Sequence, residues 1–340
     1  MPSEHDPRVR TLHCLLPGLA WPVPGQTSLP PVPALAALLG RAHCRHEAAQ
    51  PWSHWLATHC GRQGWGLLRR LGEEDGAVRP GRWLCADPVH LHMTRDALLL
   101  RGPDELDVDT QESLALVDTL NQEFSELGQF HVATPQRWYL QLRGPAQADF
   151  HPLVDVLGRP VSQFTPEGTD ARRWNLHANA IQILLHNHPV NAARQARGAL
   201  PINGLWLWGA GEPDTGLPAL PAILSEDPLL RGFARHHGAG IVADADSLLA
   251  SGGWWHDSRL HQAMLATDPH AWLTALAELE DVLFRPLLTA WRAGRIDALY
   301  LHAPGDQHAL TATLTRRARW ALWRRPLSPA RLSALLQGSA

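Results

Sequence analysis

Asp87, His90, His92, Arg95 and Asp96 lie close together in the sequence, and their types suit anion chemistry. Positions 90 and 92 alternate, so on a strand both imidazoles leave from one face. Arg95 carries a planar guanidinium that can hold a phosphate or carboxylate through two parallel hydrogen bonds. The group can be read as an anion pocket, but an ordinary charged turn flanked by surface histidines is the preferred reading. A second set, His43, Cys44, His46, His54, His59 and Cys60, has ligating side chains, but Pro51 divides it and no zinc-type spacing emerges. Gly209 and Gly211 follow a strand-like run, where backbone N–H groups can approach an anion.

The 340 residues include 30 Arg but no Lys, with 20 His and 15 Trp, enough chain for one large domain carrying an insertion. An apolar fraction of 45% excludes a disordered chain, and no apolar run has the length of a spanning helix. Cys14–Val23 has the apolar character of a leader segment, yet Glu4, Asp6, Pro17, Gly18 and Pro22 break that pattern. A buried first strand and a cytoplasmic location are expected instead. Abundant Ala, Arg, Gly and Pro beside the missing Lys point to coding bias rather than to phosphate chemistry. Cys14, Cys44, Cys60 and Cys85 form no CxxC pair, which argues for reduced thiols over a zinc site or a disulfide framework.

The net charge of −3 is unevenly spread. Residues 104–126 hold eight acids and no Arg, whereas six Arg and no acid follow Asp306. This basic tail can meet a polyanion or dock on the acidic segment. Nucleic acid is not expected as a partner, because no groove-reading motif accompanies the charge. Trp320 and Trp323 are expected to pack on the body with Arg stacked on their rings.

Strand-like and helical segments alternate. Strands are expected at Val9–Leu16, Trp83–Ala86, Val89–Met93, Ala97–Arg101, Gln129–Ala133, Trp138–Leu142, Leu205–Trp208, Gly240–Ala243, Ala298–Leu301 and Ala309–Leu314. Thr94-Arg95-Asp96 would close a hairpin. Helices are expected at Val32–Gly40, Asp109–Phe124, Ala178–His186 and Pro269–Ala293, the second with Leu114, Val117, Leu120 and Phe124 on its apolar face. Residues 144–175 read as a long excursion. The fold class is α/β, a mainly parallel central sheet flanked by helices, with a smaller inserted α+β subdomain.

Three segments resemble the archaeal-type cofactor-independent phosphoglycerate mutases of the alkaline phosphatase superfamily. They are Leu29–Gly40 (LPPVPALAALLG), Pro80–Leu100 (PGRWLCADPVHLHMTRDALLL) and His188–Gly211 (HPVNAARQARGALPINGLWLWGAG). Within the third, Asn191, Arg194, Gly198, Pro201, Asn203 and Gly209-x-Gly211 resemble the family's run of His-Pro-x-Asn, Arg, Gly, Pro-x-Asn and Arg-Gly-x-Gly. Trp-Leu-Trp-Gly in that motif is most similar to a bacterial branch labelled RpfE-type regulatory protein. The resemblance implies an alkaline-phosphatase-like main domain over 1–86 and 204–326, a substrate-type insertion over 87–203 and a helical tail over 327–340.

The family's reaction uses a Ser or Thr nucleophile and two divalent metals held by Asp and His, which neutralise phosphate charge. Where the resemblance implies an Asp-Gly pair after the first strand, this chain has Leu16-Pro17-Gly18. Where it implies the nucleophile, the chain has Ala42-His43-Cys44-Arg45-His46, and Cys44 lacks the Cys-x-Pro-x-Arg context of the superfamily's sulfatases. Asp306 and His308 are the nearest equivalents of the C-terminal metal ligands. The expectation is a catalytically degenerate protein with a regulatory or ligand-binding role and no cofactor. The alternative is an active phosphomutase or phosphohydrolase with a rearranged site and a divalent metal such as Mn or Zn. Asp87, His90, His92, Arg95, Asn191, Arg194, Asn203, Gly209 and Gly211 are the candidate ligand-binding residues. For Asn191, Arg194 and Asn203, capping of backbone groups is an equally good reading. A small phosphorylated or carboxylated metabolite, and a protein partner, are the expected partners.

Overall fold

β-branched and apolar residues after Arg10 form the first strand, and the computed structural model describes residues 10–24, 28–73, 78–217, 222–321 and 323–338. Glu4, Asp6 and Val9 lie outside the described residues. In chain order the described strands are β1 (Thr11–Leu15), β2 (His43–Gln50), β3 (Arg82–Met93), β4 (Leu98–Arg101), β5 (Gly128–Thr134) and β6 (Arg137–Leu142). They continue as β7 (Gly204–Trp208), β8 (Ala222–Leu224), β9 (Gly240–Ile241), β10 (Gly253–His256), β11 (Ala298–Ala303) and β12 (Gly305–Thr315). The chain divides into two units, one of Met1–Trp55, Pro218–Asp227 and His237–Ala340, the other of Leu56–Leu217 and Pro228–His236.

The first unit contains a seven-stranded sheet in the order β2-β12-β11-β1-β10-β8-β9. The strands from β11 to β9 in that order run parallel, and β12 and β2 add an antiparallel edge. The expected α/β class with a mainly parallel sheet flanked by helices is the one observed. One face of the sheet, with Leu12, Cys14, Trp255, Leu299 and Leu301, packs on helix residues that include Leu35, Leu38, Leu276 and Leu283. Long, fully buried aliphatic side chains on both layers supply the main favourable term here.

The helix Pro33–Arg41 starts with Pro, whose missing N–H costs nothing in a first turn. Val32 gives it no side-chain cap. Glu280 supplies one from elsewhere, its buried carboxylate accepting from the Ala34 N–H at 2.7 Å and the Leu35 N–H at 3.2 Å. Glu280 opens a π turn, Glu280–Phe284, inside what the leucine spacing predicts as one regular helix over Pro269–Ala293. The negative charge at a helix N-terminus satisfies two otherwise orphan donors.

The second unit is built on an antiparallel sheet, β4-β3-β6-β5, with β7 also paired to β3. The sequence splits β3 at Asp87-Pro88, but the strand is continuous. β7 pairs with it from Cys85 to Val89 and carries it across the proline. The expected hairpin at Thr94-Arg95-Asp96 does form, closed by the Thr94 N–H and hydroxyl donating to the Ala97 carbonyl, both at 2.8 Å. The helix Thr110–Glu123 opens with a capping box between Asp109 and Glu112. Leu116, Val117 and Leu120 are buried, but Leu114 is 50% exposed, so the apolar stripe begins later than expected. The helix expected from Ala178 begins at Ala171. The preceding excursion contains short turns and a bridge between Asp149 and Glu167.

The helices Trp65–Gly72 and Pro228–His236 touch backbone to backbone in this unit. A Cβ on Gly72 would overlap the Pro228 carbonyl, and one on Gly232 the Leu68 carbonyl. Gly232→Ala should therefore destabilise the protein by about 3 kcal/mol, the upper range for overpacking against rigid backbone. Glu280→Ala should cost about 2 kcal/mol through the lost cap. Denaturant unfolding monitored by circular dichroism reads both, and unchanged midpoints would contradict these contacts.

Candidate functional site

Parallel sheets place functional groups where their strands end, so the carboxyl ends of β1, β8, β10 and β11 are the first place to look. His13 on β1 is level with Trp254 on β10 and Tyr300 on β11, and Leu15 is level with His256 and His302. Equivalent register puts all of these on the sheet face opposite the leucine-rich layer. His13 stacks on Trp254 and Tyr300 with ring centroids 4.4 and 4.8 Å apart. Its Nδ1 lies 3.1 Å from His302 Nε2, so one ring donates and the other accepts.

At the end of β10, His256 is stacked under Trp52, and its Nδ1 lies 2.9 Å from the Ser225 hydroxyl. Ser225 Oγ also accepts from the Asp227 N–H at 3.0 Å. His256 Nε2 is buried without a hydrogen-bond partner among the described residues. Burial holds His256 below the usual imidazole range, and burial followed by the neighbouring His256 pushes His261 down to about 3. A Ser hydroxyl donating to a neutral imidazole is the contact of a nucleophile and its base. Here Ser225 is 6% exposed and His256 5%, and no carboxylate orients the second ring nitrogen, so the pair locks the strand ends together.

The mutase-type residues fall elsewhere. β1 ends at Leu15, which is buried on the face shared with His256 and His302, and the following Leu16 is buried in the leucine-rich layer. Cys44 lies on β2, its Sγ donating to the Leu39 carbonyl, and burial, partly offset by Arg324, pushes its thiol up to about 11. A thiol so raised is a poor nucleophile at neutral pH. Asp306 is exposed on β12, and His308 Nε2 lies 3.3 Å from the Leu336 carbonyl. Asp257 is held by Arg259 at 2.7 Å. Among the described residues no three His, Cys, Asp or Glu side chains converge as a metal site would require. The donor set therefore does not fit a two-metal centre.

In the second unit, the candidate ligand-binding residues are joined to the protein itself. Asp87, 1% exposed, takes both oxygens to Arg69 at 2.6 and 2.9 Å and accepts from the Trp208 indole N–H at 2.7 Å. The Arg69 guanidinium lies over the Tyr139 and Trp208 rings. Burial opposes its charge, but Asp87 holds Arg69 protonated well above the ordinary range. Beside it, Glu73 accepts two bonds from Arg137 and one from the Tyr139 hydroxyl. Burial alone would raise the Glu73 carboxyl, and these donors keep it low instead.

Arg194 is 0% exposed and donates to Glu112 and to the Leu106, Asp107 and Leu200 carbonyls. Asn191 bridges the Leu185 and Ile202 backbones. Asn203 makes two bonds to the Leu91 backbone, at 2.7 and 2.8 Å. Gly209 and Gly211 have φ of +80° and +96° and pack against the turn at 61–66, with the Gly66 N–H donating to the Gly209 carbonyl at 2.8 Å. His90 Nδ1 meets the Pro201 carbonyl at 2.9 Å, and its ring stacks on that of His92. Arg95 is exposed at the hairpin tip. The structure thus brings His90 and His92 together, while Asp87, Asn191, Arg194 and Asn203 each serve a different internal joint.

Sequence reasoning missed Ser225, His256, Arg69 and Glu73. For His256 the signal was present in the run Gly-Trp-Trp-His over 253–256, an apolar strand ending in a polar group.

These features belong to a chain that is similar in sequence to the cofactor-independent phosphoglycerate mutases. No model of a protein family matches it. A 2,3-bisphosphoglycerate-independent phosphoglycerate mutase of Methanosarcina mazei is 27% identical over 179 residues, covering 49% of this chain and 45% of the relative. A probable enzyme of the same description from Geobacter sulfurreducens is 25% identical over 226 residues, 62% of this chain and 53% of the relative. The chain thus spans about half the length of the curated relatives it matches. Among solved structures, the PH0037 protein from Pyrococcus horikoshii aligns over 96% of this chain and 92% of its own at 14% identity, with a TM-score of 0.57, a likeness of fold. No helix among the described residues is long and apolar enough to cross a membrane.

Two outcomes follow from the geometry. Asp87→Ala leaves the Arg69 charge buried and unpaired and should cost about 3–5 kcal/mol of stability, read by thermal unfolding. A ligand-contact role alone would leave the melting temperature nearly unchanged. His256 and His261 are neutral when folded and titrate near 6.5 when unfolded. The unfolded state therefore binds more protons as pH falls below about 6.5, and stability should be lost from there down toward pH 3. His261→Leu should flatten that slope by about one proton in urea titrations between pH 7 and pH 4.

Proposed function

We propose that this is a phosphoglycerate-mutase-like protein that does not transfer phosphate, and that it acts as a ligand-binding regulatory protein of the RpfE type in a bacterial cytoplasm. The observation that carries the reading is the end of β1, where buried Leu16, followed by Pro17 and Gly18, stands where the resemblance implies a metal-binding carboxylate. The raised Cys44 thiol supports it. The ligand class is a small phosphorylated or carboxylated metabolite, by analogy with the activity named for the Methanosarcina mazei relative.

Binding needs less of a site than turnover. Without a metal to stabilise developing charge, and without an activated nucleophile, the largest contributions to phosphoryl transfer are missing. A wall of imidazole and indole rings can still hold a ligand by stacking and single hydrogen bonds.

The curated names of the relatives favour a second reading, an active metal-dependent phosphomutase or phosphohydrolase. A coupled phosphoglycerate mutase assay with Mn²⁺ or Zn²⁺ separates the two. The expected result is no turnover above the metal blank. Turnover abolished by a chelator and restored by metal would replace the first reading with the second. Thermal-shift measurements with 3-phosphoglycerate should show a rise in melting temperature at millimolar ligand. An unchanged melting temperature would remove the metabolite from the proposal.

A further inference from the structure

β2 is the edge strand of the seven-stranded sheet, and β12 covers its other side. Thr313 pairs with His43 and Thr311 with Arg45, so alternate residues of both strands share one outward face. The opposite set, Cys44, Leu310, Ala312 and Leu314, turns into the hydrophobic layer. The outward face forms the floor of a groove of about 650 Å³, walled by Arg41, Arg45, Arg317, Arg324 and Trp323.

The guanidinium groups here have no acidic partners. Arg41 donates to the Ala37 carbonyl, Arg45 to His43 Nε2, and Arg324 to the Arg41 and Ala42 carbonyls. Glu47, the acid in the groove lining, accepts from the Thr311 hydroxyl at 2.9 Å. Among the described residues none of these four arginines forms an ion pair with a carboxylate. Four guanidiniums against the one Glu47 carboxylate give the open groove a positive balance, which attracts an extended anion.

The tryptophans narrow the class. Packing of Trp320 and Trp323 on the body is what the sequence suggests, yet each is 79% exposed. The Arg that does stack in the tail, Arg319, lies over the buried Trp291 ring instead. Two bare indoles three residues apart, beside unpaired guanidiniums and a row of threonine hydroxyls, match the needs of a phosphate backbone with unstacked bases. Such binding needs no groove-reading helix, which was the ground for excluding nucleic acid. A small metabolite would call for a more enclosed pocket, and an acidic peptide would leave the indoles without a function.

We propose that the β2–β12 face and the adjoining Arg317, Trp323 and Arg324 bind single-stranded nucleic acid, through its phosphates on Arg41, Arg45, Arg317 and Arg324 and through base stacking on Trp323. The proposal is independent of whether the mutase-like fold retains activity.

The test is fluorescence anisotropy of the full chain with labelled oligo-dT and oligo-U of fifteen nucleotides. Four phosphate contacts predict a slope of about −3 in log K against log salt, hence about fifty-fold weaker binding at 200 mM than at 50 mM salt. Trp323→Ala should weaken binding at least fivefold at either salt, and Arg45→Ser with Arg317→Ser should lower the slope by about half. All three side chains are exposed, and unchanged thermal unfolding will show that the variants fold. No binding at 50 mM salt, binding that these substitutions leave intact, or tighter binding to polyglutamate than to the oligonucleotides would overturn the proposal. The last outcome would assign the groove to an acidic protein segment.

Discussion

The parallel pairing of β1 with β10 on one side and β11 on the other holds the first unit together. Its five residues come from near the start of the chain, while both neighbours come from its last third. No local interaction can form this arrangement, so the sheet assembles only after distant segments have met. Once they do, the register settles which side chains face which way. Leu12 and Cys14 join the leucine layer, and His13 is aligned with Trp254 and Tyr300 on the other face. A shift of one residue would exchange those sets and place imidazoles in the aliphatic core.

The second unit depends on a different device, a network of ion pairs set around buried Asp87, Arg69 and Glu73. Asp87 and Arg69, and Glu73 with Arg137 and Tyr139, tie β3 and β6 to the helix Trp65–Gly72 and the residue after it. Trp208 joins the same network through its indole N–H. The Arg69 charge reaches this strand from a neighbouring helix, and the Trp208 indole serves the network as ring and as donor together.

How much of this was legible follows from the range of each interaction. The capping box at Asp109 and Glu112 and the Thr94–Ala97 turn depend on residues a few positions apart, and the sequence displays them. The long helix after Pro269 was also visible, but its π turn was not, since Glu280 acts on a helix at the other end of the chain. β2 was hidden because His, Cys, Arg and Glu suggest chemistry before they suggest a strand. The candidate-site residues show the same limit. Asn191, Arg194 and Asn203 fall within a recognisable motif, but their partners Leu185, Glu112 and Leu91 were not deducible from spacing. A buried Arg satisfied by carbonyls has the same one-letter code as an Arg waiting for phosphate.

The edge strand β2 has one more consequence, for how the chain behaves in company. An uncovered sheet edge offers free backbone donors and acceptors to any other strand, and that is the usual start of sheet-to-sheet aggregation. Here His43, Arg45 and Glu47 project from the exposed strand, and the arginines beside it carry no acidic partners. Burying these charged side chains against another strand would cost desolvation, so the composition of β2 works against edge-to-edge pairing, and an anion bound on this face would change that cost.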